Sequence, residues 1–431
     1  MICKLFPLIL LPFIAFLSCN TTGPTEGGSS ISLSVEDVSC TEIWLHIKTN
    51  NVVLPFNGII RSDNLSQSIR ISNNDTTIYL DSLLPSRNYN FQMSSNFLLS
   101  NKVSAQTMDT TGHEYSWQTY TLGDGISTSL LFDVALIDDN NFWIVGEIYL
   151  NDSTGKEDPY LYNLVKWNGT NFKNERVYYY YLNQPLLGNF EAIKVFNNND
   201  IYLCNANFVH WDGAKYLSID IPNFNSVIKK VWGVDNNKIY LAGMQGAIGI
   251  YDGHNCINIA TDPNLDVLDI YGAINNKTGK DEIISTASKV FTQFTGKLYQ
   301  IVNDNAVELS YTGLPKVINS IWFKPNRKYI IAGDGVYTKN NLSSSEWKRI
   351  PGNVLQDNYM SHSIYGEDVN NIFIAGAFGE IMHFNGYTWK NYLDETNNNG
   401  IYYRIVSKGN LVVAVGTANN KAIVTIGRKL N

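Results

Sequence analysis

One short motif returns at near-constant spacing, and that repetition constrains the fold more than any other feature. An aromatic residue, then Asn or Asp, then Gly occurs at Trp167-Asn168-Gly169, Trp211-Asp212-Gly213, Tyr251-Asp252-Gly253 and Phe384-Asn385-Gly386. Phe294-Thr295-Gly296 is a weaker copy. The five glycines lie 44, 40, 43 and 90 residues apart, the last interval being close to two periods. A second element, an Asn-rich turn running into an apolar strand, recurs at Asn141–Gly146, Asp200–Leu203, Lys238–Gly243 and Asn371–Gly376. Degenerate copies begin at Glu282, Lys328 and Leu411, which brings the count to seven. Upstream of each copy stands a β-branched anchor: Val134, Ile193, Val231, Ile270, Ile321, Ile364 and Ile405. Seven positions that are all Val or Ile predict one equivalent buried site.

Each unit then reads as strand, Asn-rich hairpin, strand, Asn-Gly or Asp-Gly turn, short strand. Four strands in 40–45 residues is the size of a β-propeller blade. Residues 115–431 are therefore expected to form a seven-bladed β-propeller. The last unit stops before its own fourth strand, whereas Tyr115–Thr121 precedes the first unit and matches an orphan fourth strand. That N-terminal strand is expected to complete the last blade and close the ring, removing exposed edges.

The first thirty residues have a different character. Lys4 is followed by the apolar run Leu5–Leu17, too short to span a bilayer as a stable helix and built like a signal peptide. It ends Phe16-Leu17-Ser18-Cys19, which resembles a bacterial lipobox. The resemblance implies cleavage after residue 18 and a diacylglycerol on the Cys19 sulfur, usually with a further chain on its amine. Several acyl chains give stable membrane anchoring. Residues 19–30, with Gly23, Pro24, Gly27 and Gly28, read as a flexible tether. In residues 31–108, Ile31, Leu33 and Val35 alternate, as do Ile43, Leu45 and Ile47. The run Leu83-Leu84-Pro85 through Tyr89 resembles the tyrosine-corner segment of fibronectin type III domains, and Trp44 would be their core tryptophan. An all-β chain is expected, a type III-like sandwich followed by the propeller. The whole resembles bacterial surface lipoproteins with a type III module before a propeller, of which Gly376–Trp389 is the clearest repeat. That group implies a cell-envelope location, at the outer membrane or cell surface, and is defined by architecture rather than by a reaction.

The balance of 32 Lys+Arg against 39 Asp+Glu, net charge -7, excludes a basic stripe for nucleic acid. Sialidase boxes, kelch double glycines, GxSxG, HExxH and P-loop patterns are absent, and the six histidines have no ligand spacing. No metal or other cofactor is implied. Asp138–Asn141, Asn197–Asp200 and Asp235–Asn237 lack calcium-loop order and suit tight turns instead. The cysteines Cys40, Cys204 and Cys256 show no CxxC spacing and read as small buried residues.

The position before each anchor holds Asp133, Ala192, Lys230, Asp269, Ser320, Ser363 and Arg404. Strand alternation should turn these side chains toward the central channel, as a candidate ligand site or a solvated lining. Their loss should then leave the fold intact. Asp133 and Asp269 are the only ring carboxylates, three repeats apart and so too far for an acid/base pair. Tyr179 and Tyr181, in the run Tyr178–Tyr181, are a second candidate site, for stacking on sugar rings. Three functions fit: a monomeric binding or scaffold module for a glycan or protein, a glycan-active hydrolase or lyase, or an envelope assembly factor.

Overall fold

The computed structural model describes residues 28–62, 65–95, 98–181, 184–206, 208–289, 295–355, 359–396 and 399–430. Cys19, the signal-like segment and most of the tether lie outside these. The chain divides into two compact units, one within residues 1–107 and the other chiefly Met108–Asn431.

The smaller unit has a three-stranded sheet, Ser30–Val38, Ile43–Asn50 and Asp75–Leu80. A second sheet contains Phe56–Ser62, Leu65–Ile71 and Asn88–Ser95, with Val103–Gln106 paired to the last. Alternation puts Ile43, Leu45 and Ile47 into one apolar cluster with Ile60, Phe91 and Met93 from the second sheet. Tyr89 packs against that cluster. Trp44 does not join it. It sits between Ile43 and Leu45 in the strand, so the pleat sends it to the opposite face, beside its cross-strand partner Tyr79.

The larger unit contains seven four-stranded antiparallel sheets among the described residues. Their first strands are Leu130–Leu136, Ala192–Asn197, Ile228–Gly233, Asp266–Asn275, Ile318–Lys324, Ser361–Asp368 and Ile401–Lys408. Within the first six, the strands pair in chain order. In the seventh, the fourth strand is Tyr115–Leu122, which pairs antiparallel with Lys421–Lys429 from Tyr115↔Lys429 to Leu122↔Ala422. Second strands such as Ile239–Gly243 are buried along their whole length, because both faces are covered.

Seven apolar clusters join these sheets in sequence. One packs Trp143, Val145 and Leu164 of the first sheet on Ile201, Leu203 and Val209 of the second. The series continues pair by pair to the sixth and seventh sheets, where Phe373 and Ala375 meet Tyr402 and Ala414. The remaining cluster joins Val134, Phe142 and Ile144 of the first sheet to Val413, Val415 and Val424 of the seventh.

The turns explain the repeated motif. Gly169, Gly213, Gly253 and Gly386 all have φ between 93° and 96°, where a side chain would be strained. The Asn or Asp before each accepts nearby backbone N–H groups: Asp212 Oδ1 takes those of Ala214 and Lys215, and Asn385 Oδ1 those of Tyr387 and Thr388. Asp138 does the same for Asn140 and Asn141. The weak copy departs from this pattern. Gly296 lies inside the strand Thr295–Val302, opposite Ser288, and the turn falls at Asn303-Asp304, both at positive φ. Phe294 lies outside the described residues.

Just before the strand Tyr115–Leu122, two histidines meet. His113 Nδ1 lies 2.9 Å from Nδ1 of His383, which is fully buried and stacked on Phe373. His383 Nε2 is 3.0 Å from Asn371 Oδ1 and must donate there, so its Nδ1 accepts from His113. Thr388 Oγ1 completes the chain at His113 Nε2, 3.0 Å away. Burial, then the neighbouring His113 and Lys429, hold the His383 pKa down at about 3. The unfolded chain takes that proton near 6.5, so this contribution to stability is complete above pH 6.5 and is lost as pH falls toward 3. Urea unfolding should show a loss of about 2 kcal/mol from this group between pH 6.5 and roughly pH 5. A His383→Asn variant should lack that increment; an unchanged slope would reject it.

Candidate functional site

In six of the seven first strands the register shifts immediately before the anchor, as between Leu131 and Asp133 or Ile318 and Ser320. A bulge leaves a backbone N–H without a ladder partner. Side chains before the anchors accept anchor N–H groups, including that of Ile193, whose own strand shifts register only after Val195. Asp133 Oδ2 accepts Ile193 N at 3.2 Å, and Asp269 Oδ2 accepts Ile321 N at 3.1 Å. Ser320 Oγ accepts Ile364 N and Ser363 Oγ accepts Ile405 N, each at 3.2 Å. Each acceptor thus binds the anchor amide of the next sheet.

Lys230 and Arg404 can only donate. The sheets that follow them carry aspartates, and each aspartate turns its other oxygen onto its own anchor: Asp269 Oδ1 to Ile270 N, Asp133 Oδ1 to Val134 N. The cations neutralise those same carboxylates. Lys230 Nζ lies 3.0 Å from both oxygens of Asp133. Arg404 reaches Asp133 Oδ1 through Nε at 3.3 Å and Asp269 Oδ1 through Nη1 at 3.5 Å. Ser320 donates its hydroxyl to Asp269 Oδ2.

Two expectations change accordingly. The side chains before the anchors divide: Asp133, Ser320 and Ser363 are fully buried, whereas Lys230, Asp269 and Arg404 line a cavity together with the anchors. The buried acceptors among them bind sheet to sheet instead of facing solvent. Asp133 and Asp269 are also not far apart, since one guanidinium bridges them. Their oxygens are nonetheless occupied by amides and cations, which leaves no acid/base pair for glycan hydrolysis. The acceptor chemistry at four of these positions, Asp, Asp, Ser and Ser, was the available sequence signal for this role.

The anchors themselves line the cavity. A space of about 300 Å³ is walled by all seven Val and Ile side chains, with Trp232, Tyr271 and Tyr365 toward one end. Lys194, Lys408 and Ser407 join the wall, and sequence reasoning singled out none of them. Each lies one to three residues after an anchor, which is the signal that would have found them. Desolvation, with Lys230 nearby, holds the Lys194 pKa down at about 8, against a smaller opposing pull from Asp133.

The tyrosine run divides by strand alternation. Tyr179 turns inward, 6.1 Å from Phe190, whereas Tyr178 and Tyr180 are exposed. Tyr179 is half-buried. Tyr181 pairs with Gln184 in the same hairpin, and its side chain lies outside the described residues. Cys40, Cys204 and Cys256 are buried and form no disulfide among the described residues, and burial pushes Cys256 up to about 11, far from a reactive thiolate.

Solved structures share this arrangement of strands. YCF48 bound to a D1 peptide aligns over 73% of this chain and 97% of its own, with a TM-score of 0.53 and 14% identity. The larger unit has a β-propeller fold. YCF48 from Cyanidioschyzon merolae also aligns over 73% of this chain and 98% of its own, at TM-score 0.47 and 12% identity. At such identities the likeness is one of fold. No protein-family model and no curated protein matches the chain.

Proposed function

We propose that this chain is a lipid-anchored protein of the bacterial cell envelope whose propeller binds a segment of another protein at the central cavity. The observation that carries the reading is the cavity itself, lined by seven Val and Ile anchors together with aromatic and cationic side chains, with Asp133 and Asp269 occupied by amides and cations. A structural neighbour of the same fold binds a peptide, which favours a protein segment over a glycan. Seven sheets, each packed on the next, and the cluster joining the seventh to the first support a closed ring of seven blades. The two-sheet smaller unit then serves as a type III-like spacer between the acylated Cys19 and the propeller.

Two measurements test this. Cys19→Ser should move the protein from the detergent phase to the aqueous phase; continued membrane fractionation would reject the anchor. Peptides enriched from a random library on the full chain should alter the emission of Trp232, read against a Trp232→Phe variant. Enriched peptides that leave that signal unchanged would place binding elsewhere.

A further inference from the structure

The cavity wall carries more positive than negative charge. Lys194, Lys230, Arg404 and Lys408 line it, and the carboxylates that meet them are Asp133 and Asp269. Lys230 and Arg404 are consumed by those two aspartates. Lys408 Nζ donates to the carbonyl of Ile137 at 2.9 Å. Lys194 has no ion-pair partner among the described residues, and its Nζ merely stands 5.1 Å from the Phe196 ring centroid. A second observation is independent of charge. Ser407 is 2% exposed, lines the same cavity, and its Oγ has no hydrogen-bond partner. A buried hydroxyl left unsatisfied costs stability unless something fills the space beside it.

We propose that the cavity takes a carboxylate on a short apolar stem, with Lys194 as its counter-ion and Ser407 as a hydrogen-bond donor. The apolar anchors suit a stem of a few methylenes, and about 300 Å³ is the lower end of small-ligand pockets. A bare hydrated anion would leave the Val and Ile wall unused. A cationic ligand would meet Lys194 and Lys408 without compensation. The inference rests on the cavity being the binding site, and it names the group that enters it; an acidic side chain, a chain terminus and a free organic acid share that chemistry.

The test uses the full chain and ligand-observed saturation-transfer NMR with butyrate, with butylamine as the charge-reversed probe. Butyrate should bind and butylamine should not. Lys194→Met, close in shape and uncharged, should weaken butyrate binding by about tenfold or more. Ser407→Ala should weaken it by severalfold, while Lys215→Met, on an exposed turn, should not change it. No transfer to butyrate at tens of millimolar, or equal affinity in Lys194→Met, would overturn the proposal. Library peptides that still alter Trp232 emission in Lys194→Met would leave the binding function standing and remove only the carboxylate.

Discussion

Replacing Arg404 with alanine should lower the unfolding free energy of the larger unit by about 3–5 kcal/mol. Among the described residues, the arginine is the one that forms ion pairs with both buried carboxylates, Asp133 and Asp269. Asp133 would keep Lys230, but Asp269 would keep only the Ser320 hydroxyl and two amides around a full negative charge. Removing one partner of a buried pair is costly because the other charge remains out of water. The same argument predicts partial rescue. Adding Asp269→Asn to Arg404→Ala should recover stability, giving a strongly non-additive cycle, because the uncompensated charge is then absent. Urea denaturation of the two single variants and the double variant measures this directly. A loss within about 0.5 kcal/mol for Arg404→Ala would mark a surface residue and reject the girdle.

That girdle shows where sequence reasoning reaches and where it stops. The repeats were legible because turns are local: Asn385-Gly386 dictates its own hairpin through one side-chain oxygen and one positive φ. Seven four-stranded units followed from those turns and from the apolar runs between them. The direction of the side chains before the anchors was not legible. It depends on a register shift before the anchor in six of the seven first strands, which no residue type announces, and one inserted residue sends a side chain to the other face. Asp133 and Lys230 are separated by 97 positions, so their pairing belongs to the assembled sheets alone. Trp44 is buried as its type suggests, but its neighbours Ile43 and Leu45 occupy the face toward the second sheet, so it packs beside Tyr79 outside that cluster. Lys194 and Ser407 escaped notice because a single lysine and a single serine carry no pattern until a cavity surrounds them.

Deleting the strand Tyr115–Leu122 should abolish cooperative unfolding of the larger unit. A chain beginning at Gly112 retains this strand, and one beginning at Ile126 lacks it. The strand pairs with Lys421–Lys429 over eight positions, and its loss would leave that strand, with Ile423, Val424 and Ile426, as a bare edge. The packing loss adds to this. Tyr115 stands 5.5 Å from Phe373, Trp117 stands 4.9 Å from Tyr392, and Tyr120 stands 5.6 Å from Trp167. One strand therefore contacts the sixth, seventh and first sheets at once. Truncating a fully packed aromatic side chain costs about 3–5 kcal/mol; Tyr115 is buried, and Trp117 and Tyr120 are half-buried. Together they represent a large share of the whole stability of an ordinary domain, about 5–15 kcal/mol. The chain beginning at Ile126 should bind a hydrophobic dye and unfold without a sharp transition, while the longer one melts cooperatively. Equal melting temperatures would show that the seventh sheet holds the first without its N-terminal strand. The measurement is informative in either direction, since the strand supplies backbone pairing to one sheet and side-chain packing to its two neighbours.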